Sequence, residues 1–223
     1  MSGTIVRLFD DASEAIRAAE RLESMGVKHH DISLVANNRE GWYDEKEGIR
    51  RRDLDDNDHD PDTNKAGEGM AAGAGTGGVI GAGTGLLAGL GMLAIPGLGP
   101  VVAAGWLAST AAGAAVGAVA GGLVGGIVGA LTKEGVSRED AEVYAEGVRR
   151  GGALLLIRNS DNKRREIELA LDDFDSSEAA PRRTYYQESG WRGYDPDAPE
   201  LTPAQIEAER ARAADYYRPH RRM

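Results

Sequence analysis

The order of hydrophobic and polar positions predicts a strand, a helix and a second strand within residues 1–36. The run TIVRLF at residues 4–9 is apolar and β-branched, which is typical of a buried strand. The run DISLVA at residues 31–36 predicts the second strand. Between them lies a pattern of helical spacing, with Asp11 and Glu14 in capping-box spacing, Gly26 at the C-terminal cap, and one apolar face made by Ala12, Ile16, Ala19 and Leu22. A unit of this length predicts two parallel strands joined by a right-handed crossover.

A complementary pattern follows in residues 133–175. Ser137 and Asp140 have the spacing of a capping box, and the helix that they begin stops at the glycine pair that starts with Gly151. The run ALLLI at residues 153–157 predicts a third buried strand, and a helix follows it with Ile167, Ala170, Leu171 and Phe174 at helical spacing. We therefore predict an α+β fold, in which residues 1–36 and 133–175 are the halves of one small α/β domain, three-stranded and of ferredoxin-like size.

The two halves are separated by a glycine-rich segment, residues 67–132, which carries no charge from Met70 to Thr132. Glycines recur every four residues in it, and this spacing places small residues on one slowly drifting stripe of a helix. The motif IPGLGP interrupts the segment and predicts the turn of a helical hairpin at Pro96, Gly97, Gly99 and Pro100. The predicted helix-packing positions are Gly69, Gly73, Gly77, Gly81, Gly85, Gly89, Gly105, Gly113, Gly117, Gly121, Gly125 and Gly129.

The same glycines also match the G-x-G-x-x-G pattern of a dinucleotide site, at Gly73, Gly75 and Gly78. That chemistry needs a preceding strand, a following helix and an acidic residue about 20 positions further on. An acidic stretch precedes these glycines, and no charge follows before Lys133. The segment therefore predicts a packing surface, a glycine zipper, and no cofactor site.

Two environments for the predicted hairpin stay open. Each arm has about 25 to 30 residues, or about 38–45 Å as a helix, which is enough to cross a hydrocarbon layer of about 30 Å. Basic residues near the outer ends, such as Lys65 and Lys133, would then place both termini in the cytoplasm, with the domain on the cytoplasmic face of the inner membrane. Gly and Ala dominate, however, and strongly apolar residues are sparse, so burial within a cytoplasmic homo-oligomer is the alternative. The regular register argues against a disordered tract.

Two further segments are predicted to lack a fixed fold. Residues 37–66 form an acidic linker whose alternating acids fail the spacing of a calcium loop, because Asp58 stands where that loop needs glycine. Residues 176–223 form a mostly disordered tail that is rich in Pro, Arg and Tyr. A helix is predicted within the tail over residues 203–217, with Thr202 as its N-cap and Ala204, Ala208 and Ala211 on one face.

No pattern in the chain predicts catalysis, a metal or a cofactor. Cysteine is absent, and His29 and His30 are interpreted as exposed turn residues. The formal net charge of −10 argues against nucleic-acid binding. Four residues on the helix before the third strand either line a small-molecule site or form a solvated helix face: Tyr144, Glu146, Arg149 and Arg150. No specific small molecule is indicated.

The order of three motifs resembles the bacterial YflT-like general stress protein family, to which heat-induced and low-temperature-induced proteins are related. These motifs are the strand–helix–strand of residues 4–36, the run AIPGLGPVVAAG followed by the glycine zipper, and EDAEVYAEGVRRGG followed by a hydrophobic strand. The resemblance covers roughly residues 4–174 and leaves out the acidic linker and the tail. It implies a stress-associated, non-enzymatic bacterial protein, and it carries no catalytic residues.

The resulting hypothesis is a non-enzymatic general stress-response protein that acts through packing of its glycine-zipper hairpin, at the membrane, in self-assembly, or both. The alternative is a soluble α/β binding module whose hairpin is buried in a homo-oligomer, a filament or a shell.

Overall fold

The structure is a computed structural model of the chain. It describes residues 4–44, 48–49, 86–95, 98–108, 126–158, 163–195 and 197–217. The described residues form a mixed α+β fold around a six-stranded antiparallel sheet of order β5-β6-β2-β7-β1-β8, with a separate two-stranded ladder of β3 and β4. The strands are β1 (Ile5–Phe9), β2 (Ile32–Asn37), β3 (Tyr43–Asp44), β4 (Gly48–Ile49), β5 (Gly91–Ile95), β6 (Gly99–Gly105), β7 (Ala153–Ile157) and β8 (Ser176–Ser177).

Helices cover both faces of this sheet. They are α1 (Ala12–Ser24), α2 (Ile127–Lys133), α3 (Arg138–Arg149), α4 (Arg164–Asp172), α5 (Ala179–Glu188) and α6 (Pro203–Tyr217), with short 3-10 turns at His29–Asp31 and Leu86–Gly89. Capping follows the sequence: Asp11 accepts a hydrogen bond from the amide of Ser13, and Ser137 accepts one from the amide of Asp140. Gly26 and Gly151 take the positive φ angles, +82° and +99°, that end α1 and α3.

The strand–helix–strand unit at the start of the chain has a third strand inside it. Both β1 and β2 pair antiparallel with β7, so they run parallel to each other without being neighbours. Leu154 of β7 pairs with Leu8 of β1 and with Val35 of β2. The two predicted halves of the domain are therefore joined through the central strand.

Alternate residues of the strands enter two separate cores. On one face the strands pack with α1 and α4, around Phe9, Leu34 and Leu155. On the other face they pack with α2, α3, α5 and α6, around Leu8 and Leu156. Because both faces are covered, β1, β2 and β7 are buried at every position.

Residues 91–105 differ from the prediction, because the centre of the expected helical hairpin is a β-hairpin. Strand β6 pairs with β2 from Ser33↔Gly105 to Asn37↔Val101, and β5 pairs with β6. At the predicted break, the amide of Leu98 donates a hydrogen bond to the carbonyl of Ile95, the last residue of β5, and β6 begins at Gly99. Local propensity does not decide between the two structures, because alanine favours a helix, valine favours a strand and glycine weakens both, so pairing with the edge of β2 decides in favour of strands. With this hairpin and with β8, which pairs with β1, the sheet has six strands where three were expected.

The segments expected to be disordered also contain ordered structure. Trp42 and Tyr43, within the expected acidic linker, are buried against the first core. In the expected tail, α5 packs on α3, and α6 has the bounds 203–217 at which the sequence predicts a helix. The tail packs against the core through its aromatic side chains, since Tyr185 and Tyr186 are buried.

Among the described helices, none combines the length and the apolar character that crossing a bilayer requires.

Candidate functional site

The described part of the chain contains few of the predicted packing positions. Gly89 ends a 3-10 turn, Gly105 ends β6, and Gly129 lies in α2. Gly105 has a φ of +78°, and a Cβ built there would lie 2.3 Å from the carbonyl oxygen of Ile32. Glycine is therefore required at position 105 because the backbones of β6 and β2 lie close together there, and not because the position belongs to a helix stripe. Gly99 and Pro100 begin β6, and the remaining positions lie outside the described residues: Gly69, Gly73, Gly77, Gly81, Gly85, Gly113, Gly117, Gly121, Gly125, Pro96 and Gly97.

A buried charge cluster lies at the C-terminal end of α3. Glu146 is only 1% exposed. It accepts two hydrogen bonds from Arg149, of 2.8 and 2.7 Å, and one of 2.6 Å from Nε of Arg150. The prediction that this helix face is solvated is therefore wrong for Glu146, and the two guanidinium groups are the partners that a buried carboxylate requires.

The same cluster continues into α6. Arg150 donates a 2.5 Å hydrogen bond to Glu209, which also accepts one of 3.2 Å from the hydroxyl of Tyr185. Arg212 lies 2.7 Å from the other oxygen of Glu209. This connection joins α3, α5 and α6 through one chain of charge-assisted hydrogen bonds.

A second pair of ionic contacts fixes α5 and α6 to the ends of β1 and β2. Arg182 is almost fully buried and lies 2.7 Å from one oxygen of Asp10, with a second bond of 2.8 Å to the other. Arg210 of α6 donates to Glu40 at 2.8 Å and to the backbone carbonyl of Asp10 at 3.0 Å. The tail therefore covers the end of the sheet at which β1 and β2 finish and β7 begins.

The recess that receives α6 is called the α6 groove below. Its floor and walls are Gly147, Arg150, Gly151, Arg182 and Tyr185. A cavity of about 10 Å³ remains between the groove and α6, so the fit is close.

Burial around this groove perturbs several pKa values. Burial raises the pKa of Tyr185 to about 12, with Glu209 adding to the effect, and burial likewise raises the pKa of Tyr217 to about 12. Burial would lower the pKa of Arg182, but the charge and hydrogen bonds of Asp10 raise it above its usual value. At neutral pH, Tyr185 and Tyr217 are therefore protonated hydrogen-bond donors and Arg182 is a cation. These charge states allow the residues to hold the helices together.

An open groove of about 490 Å³ lies at the other end of β1. Its size is that of a small-molecule site. Tyr144 lines it, and burial raises the pKa of this phenol to about 12, so it stays protonated at neutral pH and does not act as a base. Each lining carboxylate is paired with an arginine: Glu178 with Arg7, Asp140 with Arg183, Glu168 with Arg164, and Glu134 with Arg158.

The outer strand of the sheet is a further feature. Strand β5 has the sequence GMLAI and pairs with β6 on one side. Within the described residues it is the terminal strand of the sheet on that side. It carries Met92, which is 40% exposed, and the only comparable exposed apolar side chain in the described part of the chain is Leu169 on α4. These five residues are called the β5 edge below.

No metal cluster is formed by the described residues. His29 and His30 lie in a 3-10 turn with their rings 5.6 Å apart, and His30 is 3.8 Å from Asp31.

The four residues named on α3 do not form one site. Tyr144 lines the open groove, whereas Glu146, Arg149 and Arg150 join α3 to the tail. The spacing of Glu146 with Arg149 and Arg150, three and four residues on, was the available signal for this ion pairing. Sequence spacing does not show that this ion pairing is buried, because the burial depends on the contact of Arg150 with Glu209, which lies 59 residues further along the chain.

Comparison of the chain with protein-family models, with curated proteins and with solved structures finds no match in any of the three.

Proposed function

We propose that this chain is a bacterial stress-response protein that acts without catalysis, by self-association of its uncharged glycine-rich segment. The association with stress rests on the resemblance of its motifs to those of the general stress protein family. The self-association rests on one structural observation, which is that the uncharged segment supplies the outermost hairpin of the sheet and that β5 is the edge strand among the described residues.

An edge strand presents a row of backbone donors and acceptors that another strand can satisfy. Soluble proteins commonly protect such edges with lysine, proline or a bulge. Residues 91–95 contain none of the charged residues or prolines that would do so, and their side chains are apolar. A second copy could pair antiparallel with this edge about Leu93, which would bury Met92 of both chains. The β5 edge is therefore the surface at which we place the first contact between copies.

The mass of the full chain in solution tests the proposal. Sedimentation or light scattering is expected to show a homo-oligomer at micromolar concentration, and the Met92→Lys variant is expected to lower the oligomer fraction by placing a charge on the edge. Leu169→Lys is the matched control, because Leu169 is even more exposed, at 58%, but lies on α4 away from the edge. A wild-type monomer at every concentration tested would refute self-association. An oligomer equally stable in both lysine variants would remove the β5 edge from it.

The glycine stripe is tested separately with Gly117→Leu and Gly121→Leu. If glycine packing contributes to assembly, both variants will weaken the oligomer, because a leucine side chain prevents the close approach of two backbones. An unchanged oligomer in both would show that the stripe is not the interface.

Membrane association is the second environment that the same segment allows. Its test is ultracentrifugation of a lysate, followed by washing of the pellet with alkaline carbonate and with detergent. Retention through the carbonate wash and release by detergent would favour membrane insertion. Full recovery in the untreated supernatant would eliminate it and leave assembly between soluble copies.

A further inference from the structure

Helix α6 is attached to the rest of the protein by apolar, aromatic and charged side chains. The buried positions along it are Ile206, Glu209 and Ala213, so one of its three anchoring residues is a carboxylate. Ile206 fits into the recess at Gly151, where its Cγ2 lies 2.2 Å from the position that a Cβ would occupy. Tyr216 and Tyr217 add partly buried aromatic contacts with the second core, at ring centroid distances of 4.9 and 5.8 Å from Tyr185. The specificity of the attachment comes from the charge pairs that lie between these apolar contacts.

The groove that receives this helix is organised by residues outside α6. Arg150 is held by Glu146 at 2.6 Å and lies over the ring of Tyr186 at 4.3 Å. Tyr186 in turn contacts Trp191, with ring centroids 6.0 Å apart. The guanidinium group that binds Glu209 is therefore oriented by α3 and α5, and it does not need α6 to hold it in place.

The recognition pattern of the groove follows from these contacts. It takes a helix with an aliphatic residue for the recess at Gly151, and with a carboxylate three residues later for Arg150. An arginine at the next position reaches Glu40 and the carbonyl of Asp10. These three features occur together in α6, at Ile206, Glu209 and Arg210.

The segment that joins α6 to the domain is long enough to reach a neighbouring molecule. Trp191 and Tyr194 pack against the second core, so the free connection begins after them. Residues 195–202 are eight residues, which span about 26 Å when extended. Among its described residues, this connection contacts the domain through Glu200 and the carbonyl of Leu201, both of which meet Arg39, and through the carbonyl of Pro199, which meets Arg149.

From these observations we propose that the α6 groove accepts α6 of a second copy, so that two chains exchange their C-terminal helices. The inference rests on the proposed self-association and names a second surface for it, distinct from the β5 edge. Exchange keeps every contact of the groove, because each groove is filled again by an identical helix, and this makes it a low-cost route to a dimer.

Charge reversal of the Arg150–Glu209 pair tests the exchange with full-length chains. In Glu209→Arg, two cations face each other within the chain, and in Arg150→Glu, two carboxylates do. When the two variants are mixed, both grooves of a dimer find an opposite charge only if the helices are exchanged. We expect native mass spectrometry to show a one-to-one heterodimer at least about tenfold more abundant than a dimer of either variant alone, since like charges in contact are strongly disfavoured.

The double variant that carries both reversals in one chain is the matched control, because its pair is restored within the molecule. It is expected to melt like the wild type and to form no excess heterodimer with either single variant. Should the double variant fail to fold, because Glu146 lies beside residue 150, the pair Arg210→Glu and Glu40→Arg replaces it. Those side chains are about one-third exposed, at 30% and 34%, and tolerate reversal better.

The outcomes separate the two proposals. The test uses whichever of the two charge pairs gives a folded double variant. If the mixture of its single variants forms no heterodimer, the exchange is overturned, and assembly through the β5 edge is decided by its own test. A heterodimer from the mixture, together with a wild type that self-associates, supports the exchange, whereas a wild type that is monomeric at every concentration tested overturns both proposals for the native chain.

Discussion

The hairpin of β5 and β6 and the helix α6 are both additions to the same central sheet, and they are attached by opposite means. The hairpin is joined by a continuous backbone ladder, in which five residues of β2 pair with β6, and residues 91–95 and 98–105 carry no charge. Helix α6 crosses the end of the sheet and is joined by the pair of Arg150 with Glu209 to the end of α3 and by the pair of Arg210 with Glu40 to the residues after β2. Arg210 also donates a hydrogen bond to the backbone carbonyl of Asp10, directly after β1. One attachment depends on backbone geometry, and the other depends on the charge state of side chains.

This difference predicts different weak points. A backbone ladder fails where a side chain is forced between strands, and it is insensitive to pH and salt. A charge joint fails where one partner is removed or ionises differently, because the remaining partner is then buried without compensation. The experiments below separate the two attachments, in order of decreasing expected effect.

Alkaline pH should act first on the α6 side of the molecule. Burial raises the pKa of Tyr185, Tyr194 and Tyr217 to about 12. Each phenol therefore keeps its proton more firmly when folded than when unfolded, so the stability that it contributes is complete below pH 10 and is lost as the pH rises towards 12. The described residues of the β5–β6 hairpin have no titratable side chain.

Hydrogen exchange and tyrosinate absorbance between pH 9 and 12 would measure this loss. We expect α5 and α6 to lose protection before β6, together with a late rise in absorbance from tyrosines that ionise only as they are exposed. Simultaneous loss of protection in β6 and α6 would mean that the two attachments are one cooperative unit.

Removal of the buried carboxylate of α3 should be the largest effect of a single substitution. Glu146→Ala leaves Arg149 and Arg150 without their main partner, and breaking a buried pair in this way costs about 3–5 kcal/mol. Glu142→Ala is the matched control on the same helix, because Glu142 pairs with the exposed Arg138 at 3.0 Å and such pairs contribute less than about 1 kcal/mol. The free energies of unfolding in urea give the comparison, and equal losses in the two variants would contradict a buried role for Glu146.

The β5–β6 hairpin should be most sensitive to substitution at Gly105. An alanine there needs a left-handed backbone, which costs about 1–2 kcal/mol, and its Cβ would collide with the carbonyl oxygen of Ile32 at 2.3 Å. We expect Gly105→Ala to destabilise the protein by about 2–5 kcal/mol in total, since crowding in a packed site adds about 1–3 kcal/mol. Gly91→Ala is the control, because within the described part of the chain no atom beyond its two sequence neighbours lies within 4 Å of the added methyl group. If Gly91→Ala costs as much as Gly105→Ala, the close contact with β2 is not what holds the hairpin.

The two attachments also differ in how far the sequence predicts them. Strands β1, β2 and β7 and helices α1, α3 and α4 follow from local apolar periodicity and caps, because each buries a face that its own sequence encodes. The β5–β6 hairpin does not, because a Gly/Ala pattern with a four-residue period is also the pattern of a helix stripe. Its strand conformation is decided by a partner far along the chain, since Val101 to Gly105 complete the edge of β2.

Helix α6 shows the same limit at the level of a site. Thr202 and Pro203 predict where the helix begins, and Thr202 does accept a hydrogen bond from the amide of Gln205. The face of Ala204, Ala208 and Ala211 is exposed, however, and the face that docks contains Ile206 and Glu209. Local pattern cannot choose the second face, because a buried glutamate is favourable only when Arg150 and Tyr185 are already in place to meet it.

Salt should give the smallest effect and the most direct separation of the two attachments. The pair of Arg210 with Glu40 is about one-third exposed, so ions screen it, and such pairs contribute about 0.2–1 kcal/mol. Raising sodium chloride from about 0.05 to 1 M shortens the screening length from more than 10 Å to about 3 Å, and the amides of α6 should then exchange up to about fivefold faster. The amides of β6 should exchange no faster, since their bonds to β2 are buried and uncharged and apolar burial does not weaken with added salt.

Hydrogen exchange of the wild type at the two salt concentrations measures both regions in one sample. The Arg210→Gln variant should abolish most of the salt response of α6 and leave the exchange of β6 unchanged. A salt response that persists undiminished in this variant would place the screened charges elsewhere along the helix, at the Arg150–Glu209 pair that the buried side chains of the groove are expected to shield.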